Sequence, residues 1–229
     1  MRKLGQSLYK VLDAQEDNIR QIDVLKLGLQ LIKLVEKFHE QGLLHLDIKV
    51  NNMLFGKNDV VFSHNRDRNL EELIVREDKE LRKRWYAYTS NEYKYTKDSL
   101  KTSKMYLIDY GCSYSYLKIN GHHIENIVEM NAMKDRNIVF ASKNYFDGQT
   151  LSRRDDIIAL IYNLLFMMDQ NDFEFSKLFI DKPYEEAFQL IKSYKLEKTP
   201  EEICAGNLRK QCLIPILKEA YSYGFEDKP

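Results

Sequence analysis

A mainly helical domain is the fold class this sequence predicts, on three observations. Residues 22–41 carry apolar side chains at the helical period. Residues 152–168 are almost continuously apolar behind an acidic first turn. The strand-like runs are only a few residues long and flank two polar stretches, HLDIKVNN at 45–52 and IDYG at 108–111. With 229 residues the chain suffices for one domain with a sizeable core, or for a domain plus an insertion.

In chain order, Leu8, Val11 and Leu12 fall at helical spacing and predict a short first helix. IDVLKLGLQLIKLVEKFHEQ, 22–41, predicts a long amphipathic one with Ile22, Leu25, Leu29, Ile32, Val35 and Phe38 as its apolar face, widened by Leu31 and Leu34. Gly42 closes it, because a glycine takes the left-handed conformation of a helix C-cap without a Cβ penalty. A loop then leads into a short strand, Met53 to Phe55. Residues 57–104 are highly charged and Tyr-rich, and read as an insertion, since the apolar pattern resumes only at MYLIDYG. Within it Asn69 to Trp85 reads as a solvated helix with pairs such as Glu80 and Arg84. Its basic RKRW cluster is most simply a wet face, with contact to an acidic protein partner as the functional reading.

Met105 to Ile108 predicts a strand ending on Asp109, and 112–150 a long ordered loop. SRRDDIIALIYNLLFMM predicts a Ser-capped helix buried on all sides. Amphipathic helices follow within 173–196; Thr199-Pro200-Glu201-Glu202 has the order of a helix start; LRKQCLIPILKEAYSYG predicts one last helix.

Lys+Arg and Asp+Glu are 35 each, so no global charge bias argues for nucleic acid or an anionic membrane, and neither is expected as a partner. Cys112, Cys204 and Cys212 lack paired zinc spacing and are too few for a disulfide scaffold. No apolar run is long enough to span a bilayer, and MRKLGQSLYK lacks the apolar stretch of a secretory signal. The expectation is a soluble, intracellular protein, cytoplasmic with the nucleus open.

The chemistry lies in two places. On one loop, Asp47 can accept a hydroxyl proton, Lys49 can neutralise a transferring phosphate, and Asn52 can coordinate a hard cation through its amide oxygen. Asp109, at a strand end before Tyr110-Gly111, can bind a phosphate-bridging Mg²⁺. Any Asp-x-Lys-x-x-Asn alone is more often a surface loop; paired with IDYG and a preceding helix, that bland reading recedes.

HLDIKVNNML followed by LIDYG resembles the catalytic loop and DFG element of protein kinases. LGQSL at 4–8, FASKN at 140–144, SRRDDIIAL at 152–160, KTPEEICAG at 198–206 and FEDKP at 225–229 are similar to the casein kinase I family, SRRDD most specifically. The resemblance implies a kinase-like C-terminal lobe over 1–229, interrupted by 57–104: a helical bundle with short β-hairpins at the catalytic and DYG loops. It implies Asp47 as catalytic base, Lys49 as γ-phosphate contact, and Asn52 and Asp109 as Mg²⁺ ligands. Leu54 would form part of the adenine floor and Ile108 would lie beneath the nucleotide. Asp156 would hold the catalytic loop through its backbone, and His45 would anchor that loop structurally. The cofactors implied are ATP and Mg²⁺, and the partner is a protein substrate.

The chain departs from the family in four ways. No Gly-rich loop, VAIK-like lysine or partner glutamate is found in the 229 residues, so the N-terminal lobe is expected to be absent from this chain. The chain stops at FEDKP, where the family enters its last helix. Leu46 stands for the usual arginine, and Arg136 to Ser142, RNIVFAS, stands for GTARYAS. The expected activity is Ser/Thr protein kinase transfer that needs the missing lobe; the alternative is a non-catalytic, pseudokinase-like binding module.

Overall fold

The structure, a computed structural model, describes residues 4–13, 19–56, 62–63, 94–95, 104–127 and 137–229. The helix expected at Asn69–Trp85, its Glu80–Arg84 pair and the RKRW cluster lie outside these residues. The described chain begins with α1 (Leu8–Asp13) and α2 (Gln21–Glu40). Six short strands follow: β1 (Leu43–Leu44), β2 (Met53–Phe55), β3 (Phe62–Ser63), β4 (Lys94–Tyr95), β5 (Met105–Leu107) and β6 (Tyr114–Ser115). The rest is helical: α3 (Lys143–Phe146), α4 (Arg153–Met168), α5 (Glu174–Lys177), α6 (Tyr184–Glu197), α7 (Pro200–Ile203) and α8 (Ile214–Ser222).

Helix α4 is the axis of the core. Every residue from Asp155 to Leu165 is buried, as an all-round apolar helix requires. Its start is fixed by Asp155, whose carboxylate accepts the Ser152 N–H at 2.7 Å. Helix α2 lies against it on a face that matches the expected one in part: Leu31 and Val35 are buried and Leu25 and Leu34 pack on the core, whereas other positions differ. Ile22, Leu29 and Ile32 are exposed by 52%, 63% and 39%, while Val24, Leu27, Leu31 and Val35 are buried. The sequence offers apolar residues on more than one face, and close approach decides between them. A Cβ on Gly28 would stand 3.0 Å from Leu164 Cδ1, so the face carrying Gly28 can come nearest to α4. Gly42, at φ +76°, ends α2 as expected, its N–H donating to His39 O at 2.9 Å.

The expected hairpins are replaced by a nested pairing. Strand β1 pairs with β6 (Leu43 opposite Ser115) and β2 pairs with β5 (Leu54 opposite Tyr106), both antiparallel. The strands on either side of the 45–52 loop therefore do not pair with each other; each satisfies its backbone against a strand beside the 108–113 loop. The two loops are held edge to edge in consequence. A third pair, β3 with β4, lies within residues 57–104.

Three further expectations are refined. The 112–150 stretch is not all loop, for it contains β6 and α3, the latter capped by Ser142. The start at Thr199 forms as a capping box with Glu202. The last helix is broken into a 3₁₀ turn, Lys210–Leu213, and α8, with Pro215 in its first turn. A proline lacks the N–H that a continuous helix would need at that point, so the helix restarts there.

Candidate functional site

Residues 45–52 leave β1 as an extended loop and close on a single 3₁₀ turn, Val50–Asn52. Within it three side chains converge. Lys49 Nζ donates to Asp47 Oδ2 at 2.7 Å, and Asn52 Nδ2 donates to the same oxygen and to the Asp47 carbonyl, both at 2.9 Å. These are charge-assisted or bidentate contacts that set the Asp47 rotamer. They occupy Oδ2 and leave Oδ1 without a protein partner among the described residues. Asn52 is 5% exposed and spends its amide N–H groups on Asp47, which leaves its amide oxygen as an acceptor.

His45 joins this loop to the other. Its Nε2 lies 3.1 Å from Ile108 O and its Nδ1 accepts the Asp47 N–H at 3.3 Å. A carbonyl can only accept and an amide N–H can only donate, so the neutral ring with its proton on Nε2 satisfies both. Burial is the largest influence and pushes the imidazole pKa below 6.5, against the pull of Asp156 and the Ile108 carbonyl. The ring is thus an anchor in a fixed tautomer. Ile108 N–H also donates to Asn52 O at 3.0 Å, a second tie between the loops.

Asp109 follows β5 with an exposed side chain and a left-handed backbone, φ +65°. An aspartate tolerates that region better than most residues. Tyr110 is half exposed and lies along the loop: its hydroxyl donates to Leu107 O at 2.6 Å and its ring stacks on Phe38 at 5.1 Å and meets His45 at 5.5 Å. Leu54 sits half-buried in β2, bridged to Ser7, and Ile108 is half-buried just beyond β5.

Beneath the loop lies Asp156, fully buried in the first turn of α4. It accepts the N–H groups of His45 and Leu46, each at 2.8 Å, and meets His39 Nε2 at 2.9 Å. Leu46 is itself left-handed, φ +61°, and that turn aims successive N–H groups at one anion.

Three supports were not foreseen. His39 is the first. The second is Asn163, whose Nδ2 donates to Ile48 O at 2.9 Å and Ala159 O at 2.8 Å. An asparagine inside an otherwise apolar helix is a legible sign, because a buried amide needs partners. The third is Lys195 in α6, fully buried, with Nζ donating to the carbonyls of Ile138, Val139 and Ala141 at 3.0, 2.8 and 2.6 Å. Rings of Phe175, Tyr162 and Phe146 surround the ammonium at 4.4, 4.6 and 5.2 Å. Burial pushes its pKa well below the usual lysine value. Its spacing of four from Ile191 and eight from Ala187 places it on the apolar stripe of α6, which was the available signal.

The segment Lys195 holds, 137–142, faces Asp47 across a cavity of about 20 Å³ bordered by Leu46, Ile48 and Phe140. Its far end is fixed by Asp155, which accepts from Ser142 Oγ at 2.5 Å and Asn144 Nδ2 at 2.9 Å. Burial raises the Asp155 pKa, opposed by those hydrogen bonds and the Ser152 N–H.

No cluster of three His, Cys, Asp or Glu side chains able to hold a metal exists among the described residues. One amide oxygen (Asn52) and one carboxylate (Asp109) instead suit a hard cation that keeps waters and phosphate oxygens among its ligands, as Mg²⁺ does.

Described residues about half in helices, with a few short strands, are compatible with a kinase-like fold. No family model matches the chain. It is similar to the B1 kinase of Monkeypox virus, 22% identical over 165 residues, covering 72% of this chain and 40% of that protein. It is also similar to human serine/threonine-protein kinase VRK2, 27% identical over 240 residues, 100% of this chain and 36% of that protein. A probable casein kinase I homolog of Encephalitozoon cuniculi is 24% identical over 211 residues, 89% of this chain and 49% of that one. These relatives support the protein kinase superfamily and a kinase-like function at low identity. The chain spans less than half the length of each. Among the described residues no helix is long and apolar enough to cross a membrane.

Proposed function

We propose that this chain is the catalytic region of a casein kinase I-like serine/threonine protein kinase, acting as its C-terminal lobe. It transfers the γ-phosphate of ATP to a protein hydroxyl in company with a nucleotide-covering lobe that these 229 residues do not contain. The observation that carries the reading is the convergence of Lys49 and Asn52 on one oxygen of Asp47, with the other oxygen left for a substrate hydroxyl. Asp47 Oδ1 accepts that hydroxyl's proton and aims the oxygen. Lys49, an ammonium on a flexible stem, moves from Asp47 to the γ-phosphate when nucleotide is present. Asn52 through its amide oxygen and Asp109 through its carboxylate would hold Mg²⁺, which neutralises charge on the transferring phosphate. Leu54 and Ile108 line the nucleotide side. The setting is intracellular, in the cytoplasm.

Leu46 favours a second reading, a non-catalytic binding module, since it cannot pair with a phosphorylated loop as an arginine would. Two measurements separate the readings. Mg²⁺·ATP at millimolar concentration is expected to raise the melting temperature of the purified chain, because binding to the native state alone stabilises it. Supplying a kinase N-terminal lobe is then expected to give transfer to a casein-like protein, lost in Asp47→Asn. Absence of any Mg²⁺-dependent shift overturns the kinase reading; a shift with no transfer, even with the lobe supplied, selects the binding module.

A further inference from the structure

We infer that Lys195, which lies on α6 and outside both loops of the site, is a positioning residue for the acceptor. It sets the backbone of 137–142, the segment that a hydroxyl-bearing chain meets beside Asp47. The inference rests on the reading of Asp47 as the base, and it assigns control of the acceptor side to a helix that touches no reacting group.

The segment has little to hold it by itself. Residues 138–140 form a turn, closed by the Ala141 N–H donating to Asn137 O at 3.1 Å. The Val139 N–H is taken by the Asn137 side chain at 3.0 Å. The carbonyls of Ile138, Val139 and Ala141 are met by Lys195 Nζ. An ammonium enclosed among aromatic rings is costly unless its N–H donors find partners. An ammonium has three donors, and here three carbonyls of one short stretch accept them. What the buried charge fixes is therefore the path of that stretch.

The path sorts the side chains. Ile138 is turned into the core at 2% exposed, while Asn137 and Ala141 stay half-buried and border the cavity together with Leu46 and Asp47. Beyond them Asp155 fixes Ser142 and Asn144, so the segment is tied at its middle by one buried charge and at its far end by another. An acceptor chain then meets a surface already in place. Without the ammonium, binding has to order that surface first, and affinity falls. The nucleotide side is separate: Asn52, Leu54, Ile108 and Asp109 are not among the groups that Lys195 meets. Loss of Lys195 should thus weaken the acceptor and spare the nucleotide.

Dephosphorylated casein, whose serines carry free hydroxyls, is the acceptor probe, titrated into the purified chain by calorimetry; Mg²⁺·ATP is followed beside it by thermal shift. Casein is expected to bind, and Lys195→Met to weaken it about tenfold, the cost of ordering roughly one backbone residue on binding. Lys195→Gln keeps two N–H donors for the three carbonyls, so it is expected to fall between the two, and it carries the test should Lys195→Met fail to fold. Leu217→Ala truncates the buried core of α8 at a comparable loss of stability and is expected to bind casein as the unaltered chain does. Hydrogen exchange of the Ala141 amide is expected to quicken more in Lys195→Met than in Leu217→Ala. The Mg²⁺·ATP shift is expected in all of these proteins. Casein binding unchanged by Lys195→Met and Lys195→Gln, or weakened as much by Leu217→Ala, overturns the inference. So does casein that fails to bind the unaltered chain, or a Mg²⁺·ATP shift lost in Lys195→Met alone. A Mg²⁺·ATP shift absent from every protein overturns the kinase reading instead, and casein binding still decides the role of Lys195.

Discussion

Asp156 and Lys195 are both fully buried charges, and they hold the two segments that face each other beside Asp47. Asp156 holds the 45–47 loop by accepting two N–H groups; Lys195 holds 137–142 by donating to three carbonyls. Asp156 has a side-chain partner in His39, whereas Lys195 has no carboxylate partner among the described residues and is enclosed by aromatic rings. In each case the compensation for burying a charge comes chiefly from backbone dipoles. The difference is one of sign: the loop presents its N–H groups inward, and the opposing segment its carbonyls. That requires a particular backbone path on each side, with Leu46 left-handed on one and a turn at 138–140 on the other.

The comparison can be broken most severely at Asp156. Asp156→Ala strands two buried N–H groups and His39, and should lower unfolding free energy by about 3–5 kcal/mol in urea titration. Asp156→Asn, which keeps one carbonyl acceptor, should lose less than half of that. Lys195→Met should cost about 2–4 kcal/mol: it strands three carbonyls but also removes a buried charge, which offsets part of the loss. A Lys195→Met protein as unstable as Asp156→Ala would show that the ammonium holds more than the three carbonyls. Asn163→Leu tests a neutral tie of the same kind. It loses the bond to Ile48 O but also removes a buried amide oxygen that has no partner, so about 1 kcal/mol is expected.

The smallest effect concerns pH. Burial holds the His45 pKa below its ordinary 6.5, so the unfolded chain binds this proton more readily than the native one. Stability from this residue is complete above pH 6.5 and falls as pH drops from 6.5 toward the depressed native value. Melting temperatures measured across that window should decline less in His45→Gln than in the unaltered chain.

Legibility in the sequence follows the same division. Asp156 could be placed because it stands in a recognisable string, SRRDD, at a helix start. Lys195 looked like one of many surface lysines, and only its register with Ala187 and Ile191 set it apart. The loop residues 45–52 lie together because they are adjacent in the chain, so their order already brings them within reach. The α2 core face was misjudged at Ile22, Leu29 and Ile32 because several residues of similar hydropathy compete for burial, and the choice is made by where Leu164 can approach Gly28. The strand pairs were misjudged because two- and three-residue strands carry no period, and their partners are decided by edges fifty or more residues away.

That nested pairing has an evolutionary consequence. Phe55 and Met105 are fixed opposite each other, so the chain between them leaves and returns at adjacent positions. For such a closed excursion the entropic penalty grows only with the logarithm of its length, about 0.6 kcal/mol for each doubling. Lineages can therefore lengthen, shorten or replace residues 57–104 at little thermodynamic expense, while the register that sets the loop pair beside Asp47 stays fixed.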